Sequence, residues 1–221
     1  CYSKQMILNL MGKSSNPTEL LGEDCSQENL DKHDKMLLAA SRSYQSLLHA
    51  YFGQHVLNAD NTLQVGHTYT VKDLMCSPQV APDCLLRGIS CFAAAIETGK
   101  RKYAKMGEKL RSKIKKWREQ GNPNVHHYEI FLDAESAAWE RQTQEAIQYY
   151  ESVIVKSARG GYQQDAAFAS ERLAEFHLCV TQDEDEAKYR LERSIEYWKG
   201  WGAHGKVNHL QNKYSTLLGN G

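Results

Sequence analysis

The chain has 221 residues, 41% of them apolar and 24% charged, which allows a sizeable core and excludes both a disordered tail and a membrane-embedded protein. Lysine plus arginine and aspartate plus glutamate both number 27, so the formal net charge is zero, and that balance speaks against a nucleic-acid-coating protein. The six cysteines are scattered with no Cys-x-x-Cys pair, the pattern of reduced thiols in a cytoplasmic protein.

No stretch is long and apolar enough for a transmembrane segment, and no basic-then-apolar leader stands at the start. The first residue is Cys1, which predicts a segment taken from a longer polypeptide.

Residues 1–27 are mixed in composition and read as a poorly defined N-terminal segment. Residues 28–98 read as helical hairpins with a long connection. Met36, Leu37, Ala40, Tyr44, Leu47, Leu48 and Tyr51 draw an apolar stripe at steps of three and four. A helix over 54–63 follows, then a connection punctuated by Gly66, Pro78 and Pro82, then a helix over 84–98 stopped by Gly99. Residues 63–71 have some β character but no partner run.

Residues 99–221 read as helical repeats. The helix over 100–120 has Tyr103, Met106, Leu110, Ile114 and Trp117 along its buried side. A Gly-Asn-Pro-Asn turn at 121–124 leads to a helical pair over 124–139 and 143–159. Gly160-Gly161 separates it from a second pair over 163–181 and 183–199, and a last helix covers 203–218. Thr181 with Glu184 has capping-box spacing. Ala146 and Ala187 occupy matching places in the two pairs, and Ala134-Glu135 echoes Ala174-Glu175, a period of about 40 residues. The fold class is therefore all-α, with antiparallel helix hairpins stacked as a tetratricopeptide-like α-solenoid.

Along the tail, Tyr197-Trp198, Trp201-Gly202-Ala203, Lys206-Val207, Leu210 and Tyr214 form a pattern that resembles the end of the tetratricopeptide-like region in multidomain AAA/STAND signalling ATPases. The residues 98–103, 121–125, 132–135 and 165–176 fit the same region, and the similarity is greatest to its protist, diatom-like branch. The proline usual after the last tyrosine is Ser215 here. The resemblance implies a non-catalytic interaction and regulatory segment of a parent that combines a serine/threonine kinase, an ATPase and a sensor histidine kinase or cyclase. Its partner would be another protein or the parent's own ATPase domain.

No catalytic, cofactor or metal site is legible. Gly12-Lys13-Ser14 ends like a phosphate loop but has Ile7 where glycine is needed, and Gly99-Lys100-Arg101 has Ala94 there. Cys76, Cys84 and Cys91 lack a tight chelating pair, so Cys84 and Cys91, one heptad apart, read as a shared buried face. His126, His127, His204 and His209 read as surface or capping residues. Glu171 and Glu175 read as partners of Arg172 or of a neighbouring repeat.

The charge is unevenly spread: residues 100–118 hold ten basic groups and one acid, Glu108. Lys102, Lys105, Lys109, Lys113 and Lys116 form a stripe that would suit an acidic partner. The competing class is an all-α enzyme or small-ligand module with a pocket between hairpins that uses Glu135, Glu171 and His177. An open concave face favours the first reading, and a closed cavity with converging titratable groups favours the second.

Overall fold

A computed structural model describes residues 2–20, 35–65 and 78–219, and these contain helices and turns but no strand. Eleven α-helices are described: α1 (Tyr2–Leu10), α2 (Lys35–Tyr51), α3 (His55–Val65), α4 (Val80–Thr98), α5 (Arg101–Glu119), α6 (His126–Trp139), α7 (Thr143–Arg159), α8 (Gln163–Phe176), α9 (Glu184–Gly200), α10 (His204–Lys213) and α11 (Ser215–Leu218). Residues 66–77, with Cys76 and His67, lie outside the described residues, as do Cys1 and Cys25.

The chain repeats a hairpin three times: α4 with α5, α6 with α7, α8 with α9. The turn inside each hairpin ends on a left-handed residue, at positions 99, 141 and 182, and the turn between hairpins has one at 121, 161 and 202. Both series step by about 41 residues, which is the period seen in the sequence. Small residues at the contacts, Ala146 and Ala187, are fully buried. The sides of α5 that carry Tyr103, Met106, Leu110 and Ile114 are buried as their spacing predicts. The hairpin α4/α5 spans the junction at 98/99.

Four sequence expectations change. The segment 1–27 contains α1, whose buried side includes Gln5 and Asn9. Gln5 Nε2 donates to Asn9 Oδ1 (2.9 Å), and Asn9 Nδ2 donates to the Glu19 carbonyl (2.7 Å), so a polar core hides the apolar period. The helix over 163–181 ends at Phe176 and continues as one π-helical turn, His177–Thr181. Asp183, not Thr181, caps α9: its Oδ1 accepts the Glu186 N–H at 3.0 Å. The last helix is broken at Tyr214, where φ is −114°.

The first helices of the hairpins, α4, α6 and α8, stand in a row that α10 continues. Leu132 of α6 meets Gly88 of α4, Phe131 meets Phe168 of α8 (5.9 Å), and Glu171 of α8 meets Lys206 of α10 (2.8 Å). The corner between α2 and α3 packs onto this row. Tyr51 sits edge-on to Phe168 (5.1 Å) and Trp198 (4.9 Å), and Phe52 lies edge-on to His209 (5.3 Å). The face that an open solenoid would present is thus partly filled by the chain's own aromatic residues. Among the described residues no helix is long and apolar enough to cross a membrane.

Candidate functional site

The row of first helices is tied together by buried charges. Arg172 of α8 donates from Nε to Glu135 Oε1 (2.8 Å) and from Nη2 to Oε2 (3.0 Å), a two-pronged bond to α6, while Nη1 donates to Glu175. Glu175 Oε1 in turn accepts from Lys213 Nζ (2.9 Å) and Tyr214 Oη (2.8 Å). One turn back, the wholly buried Lys206 donates to Glu171. Glu171 and Glu175 therefore meet Arg172 and the next helix, as their spacing predicts.

Burial alone would raise the Glu175 carboxyl, but Arg172 and Lys213 outweigh it and hold it well below the usual carboxylate range. Burial pushes Glu171 up and Lys206 down, both toward neutrality, and Glu171 Oε2 has no hydrogen-bond partner. Above these charges the C-terminal ends of α4, α6, α8 and α10 converge around a half-open cleft of about 870 Å³.

Apolar residues dominate its wall, among them Ile96, Trp139, Phe176, Leu178 and Val180. Arg172, Glu175, Lys213 and Tyr150 form the polar part, and His55 enters from the α2–α3 corner. Helix C-termini carry partial negative charge, so cations are well placed here. Glu97 and Arg141 also line the cleft, and neither makes an ion pair among the described residues.

Arg141 occupies the left-handed turn position (φ 60°) that Gly99 fills in the preceding hairpin. A residue with a side chain costs about 1 to 2 kcal/mol there. Trp139 is shared with a second furrow of about 630 Å³, which runs along Arg101, Lys105 and Lys109 of α5.

The charged side chains of the cleft floor are Arg172, Glu175 and Lys213. They pair with one another and with Glu135. Burial, with help from the Arg172 charge, lowers His55 to about 3, so it is a weak base at neutral pH, and its Nδ1 is 3.4 Å from Ser90 Oγ. Cys84 and Cys91 are buried, as expected, and burial pushes both thiols up to about 12, away from nucleophilic reactivity. Among the described residues no three His, Cys, Asp or Glu side chains converge as a metal set.

The residues singled out for an enzyme are not gathered as one acid–base group. Glu135 is bound by Arg172, Glu171 by Lys206, and His177 Nδ1 lies 2.9 Å from Thr181 Oγ1. His127 corrects the surface reading: it is buried, stacks on Tyr162 (4.5 Å) and bonds Asp165 at 3.0 Å.

The lysine stripe of α5 divides into four settings. Lys102 reaches Asp60 at 3.3 Å, and Lys113 lies over the Trp117 ring at 5.4 Å. Lys105 and Lys109 line the furrow beside Trp139, and Lys116 is exposed farther along the helix.

Sequence reasoning did not single out Trp139 or Arg141. The turn register was the available signal, because it aligns Arg141 with Gly99. Compared with protein-family models, with curated proteins and with solved structures, the chain matches none.

Proposed function

We propose that the chain is a non-catalytic helical-repeat interaction segment of a larger signal-transduction ATPase or kinase, and that a polypeptide segment docks in the cleft at the ends of α4, α6 and α8. The resemblance of the tail supports the reading of the parent, and the three repeated hairpins support the reading of a tetratricopeptide-like solenoid. The occupant is a protein partner or the parent's own ATPase domain. Docking would bias the parent's nucleotide-dependent state through contacts that differ between its forms.

One observation carries the binding reading: the cleft joins an apolar wall to a floor where Arg172 and Lys213 are already paired with Glu135 and Glu175. A second reading, a small-ligand module, draws on the α2–α3 corner, which narrows the face into a partly enclosed cavity.

Selection of random peptides displayed on phage against the purified chain separates them. The proposal expects an enriched peptide motif that Trp139→Asp abolishes, together with no ATP hydrolysis. No enrichment, or turnover of ATP by the chain, contradicts it.

A further inference from the structure

The cleft and the α5 furrow share Trp139, so the apolar wall adjoins a basic surface. Along the two, Arg101, Lys105, Lys109 and Arg141 make no ion pair among the described residues, against two unpaired acids, Glu97 and Glu140. Glu108, the other acid in the furrow, is occupied by Arg111 (3.1 Å) and Ser136 (2.7 Å).

Arg141 lines the cleft two residues beyond the shared Trp139. It keeps a side chain at a turn position that favours glycine, which is the kind of local cost that accompanies a working residue. Gln182 holds the equivalent turn of the next hairpin at φ 56° and does not line the cleft.

We infer that the cleft and the furrow form one track for an acidic polypeptide segment carrying a single bulky apolar side chain. The apolar side chain enters beside Ile96, Phe176 and Val180. The acidic residues pass Arg141 and Trp139 and lie along Arg101, Lys105 and Lys109. Charge complementarity sets the direction of the segment and its encounter rate, while the apolar contact holds it. The inference rests on the interaction reading above and adds the chemistry of the occupant.

Three labelled dodecapeptides test it by fluorescence anisotropy with the full chain: one acidic around a central leucine, one with lysines in place of the acids, and one with glycine in place of the leucine. The acidic leucine peptide should bind about tenfold tighter than either control, and added salt should weaken it. The double variant Lys105→Glu/Lys109→Glu should lose about tenfold in affinity.

Arg141→Gly should lose several-fold while raising the melting temperature, because it removes a backbone cost and a contact together. Gln182→Gly should raise the melting temperature and leave binding alone, which separates the contact from the turn. Equal binding of acidic and basic peptides overturns the charge assignment but leaves the interaction reading standing. A phage selection that yields no peptide overturns both. Vesicles containing phosphatidylserine that bind in place of the peptides, with the same variant sensitivity, overturn the inference in favour of a membrane contact.

Discussion

The junction between α4 and α6 and the junction between α6 and α8 do the same architectural work by different means. At the first, Gly88 has no side chain, and a Cβ there would stand 2.7 Å from Leu132 Cδ2, so the helices close directly on each other. At the second, α6 and α8 meet almost wholly through side chains: the Phe131–Phe168 edge contact and the span from Glu135 to Arg172.

Wider spacing filled by long polar side chains leaves volume that aliphatic packing would have consumed. The charged junction therefore costs desolvation, and in exchange it floors the cleft. What differs between neighbouring repeats is where the cleft arises.

Removing the charge from the second junction should do the most damage. Arg172→Met leaves Glu135 buried without its cation, and Glu175 with Lys213 alone, and should cost about 3 to 5 kcal/mol in denaturant unfolding. A loss below that of an exposed arginine would show that the pair is not what joins α6 to α8.

The first junction should resist enlargement. Gly88→Val pushes into Leu132, which is itself fully buried, and should cost about 1 to 3 kcal/mol. Tolerance of valine would mean the helices are farther apart than described.

His55, between Ser90 of α4 and Phe168 of α8, connects the two junctions and responds to pH. Its folded value, about 3, lies below the ordinary 6.5, so the unfolded chain takes up a proton that the folded chain does not. Stability should fall as pH drops below 6.5, by about 1 kcal/mol over the first pH unit and approaching about 1.4 kcal/mol per unit below that for this group. His49 and His209, both lowered to about 4 by burial first, act in the same direction. Thermal melts at pH 6.5 and 5.5 check this, and His55→Gln should flatten the slope. Glu175 adds a loss of the same sign only below the ordinary carboxylate range.

The smallest effect is at the turn. Arg141→Gly should gain about 0.5 to 1 kcal/mol, the left-handed cost less the entropy of glycine. A loss of stability there would show that the Arg141 side chain holds the fold together.

Helices with an apolar stripe and a glycine stop were legible before any coordinates. The helix at 143–159 has the bounds its spacing predicts, and α5 differs from the expected 100–120 by one residue at each end. α1 was not legible, because Gln5 and Asn9 are buried by bonding each other and nearby carbonyls, and no hydropathy period marks that. His127 was misread for a related reason: its burial depends on Asp165, which is 38 residues away.

For the cleft, the sequence placed Glu171 and Glu175 near Arg172 but could not say which helix supplied the other carboxylate. The register that aligns Ala134-Glu135 with Ala174-Glu175 marks the repeat period but does not by itself name Glu135 as the partner of Arg172. Trp139 is the last residue of α6 and Arg141 lies in the turn after it, where hydropathy is silent and only the repeat register speaks.

Amide-resolved NMR of the labelled chain, titrated with the acidic leucine dodecapeptide, tests the binding account most directly. The account predicts saturable shifts confined to residues 96–109, 138–142 and 176–180, the two faces that meet at Trp139. Shifts spread over the outer faces of α7 and α9, or none at saturating peptide, would contradict it.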